Sequence, residues 1–445
     1  MRHMNIESIL KSEQKSLFLK FLLPSIFAMI GVSINILCDT IFIGKGVGQG
    51  GLSALGIAIP VYNIYNAISL LIGMGGATLY AINIGKGNHK EAQNIFSASL
   101  TLGVVVGLII SILGFIFSRE VSIFFGAKGD ILGLTDDYLK VILLAGFNFI
   151  LSGILVPFLR NDGAPRLAMI AVIAGNMTNI VLDYIFIFIL DMGIRGAAIA
   201  TGLAPIVTLS IIGSRFLLKG GSLRFRLQKI NGKISSSILK LGLSSSFTEV
   251  SGAVVIISFN YRILGLLGEV GIAAYSIIAN IAMIGVAILS GVAQAMQPLI
   301  SINYGANEYE RAIDFRRLGF ISAFSIGLVF FLIAGVFSEP IIRLFSVEEK
   351  YLIDLTKTGI RIYFTGFLFI GCNIVSIAYF QAIGEAKKSN TLSLFKGLVF
   401  VLFNLIVLPF IWGINGVWLT IPIAEAMTLG VSLLLLFKVK ETSRP

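Results

Sequence analysis

Residues 17–43 read LFLKFLLPSIFAMIGVSINILCDTIFI. Lys20 stands near the start and Asp39 near the end, and no residue between them is charged. A helix needs about 20 apolar residues to cross the hydrocarbon core of a bilayer, so this stretch reads as a membrane span. Pro24 lies inside it, 15 residues before Asp39. Proline removes a helix hydrogen bond and favours a kink. An acid at the centre of a membrane helix costs about 2.5–3.5 kcal/mol on insertion scales and normally faces a water-filled cavity, a partner or a transported ion.

Working outward, the same reading repeats along the chain. Twelve segments qualify as spans, at about 17–43, 53–82, 93–117, 138–158, 167–190, 193–214, 238–262, 271–300, 318–337, 359–380, 390–411 and 414–437. The 445 residues are 56% hydrophobic and 13% charged, with a mean hydropathy of +0.93. Soluble domains carry about 25% charged residues, so an ordinary soluble protein is excluded and little chain remains for any soluble domain. Besides Asp39, three acids lie inside spans: Asp183, Glu249 and Glu425.

The formal net charge of +11 raises the question of nucleic acid, and its distribution answers it. Of the 34 lysines and arginines, 24 fall with the termini and every second loop, Lys396 being counted with the loop before the eleventh span. The positive-inside rule then puts both termini in the cytoplasm. The strongest block is Arg215, Lys219, Arg224, Arg226, Lys229, Lys233 and Lys240 in the central loop, a topology anchor beside anionic headgroups. Nucleic acid is not an expected partner. Lysine and arginine otherwise read as confined to loops and span ends.

Coincidences recur at a spacing of 220: Gly48 with Gly268, Gly51 with Gly271, Asn83 with Asn303, Gly85 with Gly305, Ala92 with Ala312, Gly193 with Gly413 and Gly196 with Gly416. A constant offset over such a length is the mark of internal duplication. Each half holds six spans, an even number, so the repeats are parallel, and substrate sites of such transporters lie between the halves near the bilayer midplane. The expected domains are a first lobe at 1–214, a basic cytoplasmic linker at 215–237 and a second lobe at 238–445.

Asn176, Asn179 and Asp183 share one face of the fifth span by their spacing of three and four. A short turn near Asp191 and Met192 leads into the sixth span, which carries Thr201. At about 1.5 Å per residue, Asp183 and Thr201 each lie roughly 12 Å from that turn, at one depth, and Asp39 is near the same end of the first span. Two carboxylates, an amide oxygen and a hydroxyl suit a shared proton or a dehydrated sodium ion, because hard cations prefer oxygen. The same residues also suit a hydrogen-bonded cluster that only fixes packing. Glu249 and Glu425, near mid-depth in the seventh and twelfth spans, read either as a second ion or substrate site or as helix packing.

The run Gly46 to Gly51 lacks the lysine and hydroxyl of a phosphate-binding loop. His3 and His89 are the only histidines and make no metal cluster of the usual kind. Cys38 and Cys372, both within spans, imply no disulfide framework. The start of the chain shows no removable signal peptide. Catalysis is not expected, nor is a resident cofactor.

Five stretches in order resemble the multidrug and toxic compound extrusion (MATE) family, within the multidrug, oligosaccharidyl-lipid and polysaccharide flippase superfamily. They are Cys38-Asp39-Thr40-Ile41-Phe42-Ile43-Gly44, Ile82-Asn83-Ile84-Gly85-Lys86-Gly87-Asn88, Arg160-Asn161-Asp162-Gly163-Ala164-Pro165-Arg166, Asn179-Ile180-Val181-Leu182-Asp183-Tyr184-Ile185-Phe186 and Gln297-Pro298-Leu299-Ile300-Ser301-Ile302-Asn303-Tyr304-Gly305-Ala306. The resemblance covers nearly the whole chain. It implies an all-α membrane protein, a V-shaped pair of six-helix lobes that exports amphipathic, often cationic compounds in exchange for H⁺ or Na⁺. It implies ion coupling at Asp39, Asn179, Asp183 and Thr201, which would be metal ligands only if the ion is Na⁺, and bending at Pro24. Glu249 matches an acid of members with a second-lobe ion site, but Gly371 to Ser376 in the tenth span holds no acid. Coupling through the first lobe is therefore expected. A monomer in the plasma membrane is the expected form, with small amphipathic or cationic compounds and membrane lipid as its partners. The competing reading is a lipid-linked oligosaccharide flippase of the same superfamily, which needs cationic residues inside the spans to hold diphosphate.

Overall fold

The computed structural model describes residues 6–217, 221–225, 231–343, 345 and 349–442. Lys219, Arg226 and Lys229 of the basic block lie outside them. After a short helix, Ile6–Lys11, the first half consists of α1 (Gln14–Gly46), α2 (Gln49–Gly85), α3 (His89–Ile116), α4 (Asp130–Asn161), α5 (Pro165–Ile189) and α6 (Gly193–Leu217). The second half opens with a helical run, Gly232–Gly305, of 74 residues. At about 1.5 Å per residue such a run exceeds 100 Å, several times the hydrocarbon thickness. It is broken at Gly268 (φ 64°, ψ −151°) into α7 (232–267) and α8 (269–305). Gly48 has nearly the same dihedrals (φ 84°, ψ −160°) between α1 and α2, so the glycines paired in sequence make the same turn. Only glycine enters this region without strain.

Next come α9 (309–336), within a helix that bends at Phe337, and α10 (Lys350–Ala382). The last long run starts at Ala386 and breaks at Trp412 and Gly413 into α11 (386–411) and α12 (414–442). Ten continuous helical stretches thus make twelve crossings among the described residues, six in each repeat. Fine details repeat too. Asn83 and Asn303 each cap back to a carbonyl four residues earlier, Leu79 and Leu299, and Asn88 and Glu308 donate to the carbonyls of Asn83 and Asn303, both at 2.9 Å.

Two apolar cores form, one in each half. The first draws on α2 to α6, and the second on α7 to α12. The first helix belongs to both: Leu17, Phe18, Phe21 and Leu22 are buried in the second core, whereas Ile43 is buried in the first. Ile26 still packs against the second core and Gly31 already lies against α5, so α1 changes sides a short way beyond Pro24. At its start, the Arg311 guanidinium of α9 donates to the carbonyls of Ile9 (3.1 Å) and Ser12 (2.8 Å), and Gln14 donates to Asp314 (3.3 Å). The helix is a strap from one half to the other, which a boundary at the central linker does not convey.

The halves approach each other closely at the end of the bundle where α1 begins and α12 ends. A Cβ on Gly85 would collide with the carbonyl oxygen of Ile302, and one on Gly305 with that of Ile82. Gly85 and Gly305 are 220 residues apart, and so are Ile82 and Ile302, so the contact is reciprocal about the axis relating the repeats. Close by, Gln297 of α8 accepts from Asn161 of α4 (2.9 Å) and donates to Thr78 of α2 (2.9 Å). On the same face the linker is pinned to the first half. Asp162, its side chain fully buried, pairs with Arg215 (2.6 Å) and accepts from the Ser222 amide (3.0 Å) and the Tyr80 hydroxyl (3.1 Å).

Candidate functional site

Asp39, Asn179, Asp183 and Thr201 come together, as their spacing predicts. The structure places them where α1, α5 and α6 converge. Asp183 is fully buried and Asn179 is 1% exposed. Asp39 is half-buried, and its carboxyl interacts side chain to side chain with that of Asp183. Asn179 Nδ2 donates to Thr201 Oγ1 (3.2 Å), and the threonine gives its own proton to the Ala197 carbonyl (2.9 Å). The carboxyl oxygens of both acids and Oδ1 of Asn179 are the acceptors left in the cluster.

That acceptor surplus is the main chemical feature of the site. Both carboxylate oxygens of Asp183, Oδ1 of Asp39 and Oδ1 of Asn179 are buried without a hydrogen-bond partner. The tract continues along the α1 and α5 faces through an unpartnered acceptor, Asn35 Oδ1, and an unpartnered donor, Asn176 Nδ2. Buried polar groups are otherwise satisfied in more than about 90% of cases, so the orphaned oxygens mark a place for a missing positive charge, proton or water. At the outer flank of the tract, Phe42 packs edge-on against Phe188 (ring centroids 5.7 Å apart) and tilted against Tyr184 (6.3 Å).

Two residues of the site escape sequence reasoning. Tyr138 of α4 and Tyr62 of α2 share a hydroxyl hydrogen bond of 2.9 Å, and Tyr138 neighbours Asp39, Asp183 and Thr201. Neither tyrosine has a local signature, since its role depends on two further helices arriving at the same depth.

Glu249 and Glu425 are not brought together. Glu249, half-buried on α7, faces Asn66 of α2 across the divide between the halves (3.4 Å). Glu425, 4% exposed, lies inside the second half. Its Oε1 is 2.9 Å from Lys396 Nζ, and Asn373 Nδ2 donates to its Oε2 (2.7 Å) and to its backbone carbonyl (2.8 Å). The reading that confined cations to loops and span ends is corrected here. Lys396 sits ten residues into α11, in a π-helical turn, Phe395–Val399, with only 15% of its side chain exposed. A lysine is long enough to be counted with a nearby loop by sequence, but its fixed partner on α12 draws it inward.

The MatE family model matches residues 24–185 and again residues 245–406. The multidrug export protein MepA of Staphylococcus aureus (strain MRSA252) is 25% identical over 453 residues, 98% of this chain and 97% of its own length. MepA of Staphylococcus saprophyticus is likewise 25% identical over 98% of the chain and 97% of its length. Among solved structures, a superfamily transporter from Pyrococcus furiosus, whose binding pocket is described as having reversed polarity, superposes with a TM-score of 0.92 at 26% identity over the full length of both chains. An outward-facing multidrug resistance MATE transporter superposes at 0.91, with 26% identity and 98% of both chains covered. With a family model matched twice, once in each repeat, and a fold shared along its whole length, the chain belongs to the MatE family of multi-pass membrane transporters.

Proposed function

We propose that this protein is a secondary multidrug antiporter that exports amphipathic, often cationic organic compounds in exchange for H⁺ or Na⁺ bound at Asp39 and Asp183. The observation that carries the reading is the acceptor surplus: a fully buried Asp183 with neither oxygen partnered, beside a second carboxyl. A proton placed between the two acids supplies the hydrogen bond both lack. A sodium ion finds four oxygens, from Asp39, Asp183, Asn179 and Thr201, of the hard type it prefers.

In this reading, loading the cation removes one negative charge from the pair and changes the packing of α1 against α5. Because the first turns of α1 are anchored in the second core and its far end carries Asp39, a change of bend at Pro24 moves one half relative to the other. Binding shifts the balance between inward and outward openings only by its difference in affinity for the two. Glu249 and Asn66, at the divide between the halves, are placed to meet a cationic substrate. No resident cofactor and no nucleic acid enter this cycle. The protein acts as a monomer in the plasma membrane, in contact with lipid, with both termini cytoplasmic and the linker's basic residues beside anionic headgroups.

The flippase reading requires free cations within the spans. Lys396 is such a cation by position, but its charge is already engaged by Glu425 at 2.9 Å, which favours the antiporter. The relatives named MepA as multidrug export proteins support the substrate class. The test is accumulation of ethidium in everted vesicles driven by a proton or sodium gradient. Wild type should accumulate the dye with at least one of the two ions, and Asp39→Asn and Asp183→Asn should not. Gradient-driven accumulation that survives in both variants would overturn this assignment.

A further inference from the structure

The two repeats handle negative charge in opposite ways. On α11, the helix that corresponds to α5, the polar Asn404 is neutral and is turned to the Phe400 carbonyl (2.8 Å) and the Met427 sulfur (3.5 Å). The second half nevertheless keeps a buried carboxylate on the corresponding pair of helices. Glu425 projects from α12 toward α11, as Thr201 on α6 lies against α5. Unlike the first-half acids, Glu425 has its oxygens shared between Lys396 Nζ and Asn373 Nδ2. Tyr363 and Cys372 of α10 are the other titratable side chains near it, and both are ordinarily neutral.

We infer that Lys396 is a tethered cation that permanently occupies the carboxylate site of the second half, leaving the first half alone to exchange the coupling ion. Three features support this. A cation attached to α11 by four methylenes cannot dissociate, so its local concentration at Glu425 far exceeds that of any ion in solution. The π-helical turn around Lys396 widens the helix where its stem leaves the backbone. Asn373 holds the other carboxylate oxygen, so each oxygen of the acid already has a partner within the protein. The second half then behaves as a rigid body whose internal charge does not change during the cycle.

The inference deepens the proposed coupling at Asp39 and Asp183 and rests on it for its functional meaning, but its test reads Glu425 directly. The infrared band of protonated carboxyl groups is recorded for full-length protein in detergent at about pH 7, in wild type, Glu425→Gln, Lys396→Met and the double variant. Wild type and Glu425→Gln should give the same band. Lys396→Met should gain the signal of one protonated carboxyl, and the double variant should lose it again. A protonated carboxyl present in wild type and missing from Glu425→Gln would overturn the inference, as would a folded Lys396→Met with no added signal. Should Lys396→Met fail to fold, the neutral double variant decides the matter through ethidium export, where unchanged ion dependence supports the inference and its loss contradicts it. Failure of the coupling proposal would appear elsewhere, as ion-driven export that persists in Asp39→Asn and Asp183→Asn.

Discussion

Two six-helix repeats of one ancestry place carboxylates in comparable surroundings and leave them in opposite states. In the first, Asp39 and Asp183 face each other with three oxygens unpartnered; in the second, Glu425 is closed by a lysine and an amide. A buried charge without a partner is expensive and persists only where function repays it. A buried acid with a protein partner on each of its two oxygens is a structural device. The difference teaches that a count of acids within spans, four here, does not count ion sites: what matters is whether each acid's counter-charge is supplied by the protein or must come from outside.

The largest effect expected from breaking this contrast lies in the first half. If the charge state of Asp183 biases the two openings by about 3 kcal/mol, the ratio between them changes by about 100-fold on neutralisation. Asp183→Asn should therefore reduce ion-driven ethidium export by about two orders of magnitude, measured as initial rate in vesicles, while the protein remains folded because the amide removes a buried charge.

In the second half the order reverses, with stability at stake instead of coupling. Lys396→Met leaves Glu425 buried and unpaired, a change worth about 3–5 kcal/mol of destabilisation, and thermal unfolding in detergent should show it as a large drop in midpoint. Adding Glu425→Gln should restore most of the loss, since replacing both partners of a buried pair is often neutral. A double variant as unstable as the single one would mean that the contact matters through packing and not through charge.

A smaller change sharpens the same point. Asn373→Ala removes one charge-assisted hydrogen bond to Glu425 and should cost about 1.5–3 kcal/mol in the same unfolding assay, with the lysine pair intact and ion dependence unaltered. Smallest of all is Asn66→Ala at the divide between the halves. Its contact with Glu249 is long, at 3.4 Å, so stability should change by less than about 1 kcal/mol, and a shift in the apparent KM for ethidium is the expected readout.

Much of this was legible in the residues. The twelve spans followed from runs such as 17–43, and the duplication from glycines whose special backbone geometry both repeats need, as Gly48 and Gly268 show. The polar face of α5 followed from helical spacing alone, because Asn176, Asn179 and Asp183 lie on one short helix. What sequence did not reveal depends on partners far apart in the chain. Nothing near Lys396 announces that Glu425, 29 residues later, will meet it, and a lysine close to a loop looks like a topology anchor. The tyrosines Tyr62 and Tyr138 are ordinary in their own helices. The strap formed by α1 was hidden for a related reason: its apolar residues look alike from end to end, and only packing tells which core each end joins.

The central claim is that the first half alone carries the exchangeable ion site. It is tested most directly by reconstituting wild type, Asp183→Asn and Lys396→Met/Glu425→Gln in proteoliposomes and measuring ethidium transport against an imposed proton or sodium gradient. The account predicts gradient-driven transport in wild type and in the double variant, and transport indifferent to the gradient in Asp183→Asn. Gradient dependence kept by Asp183→Asn and lost in the double variant would contradict it.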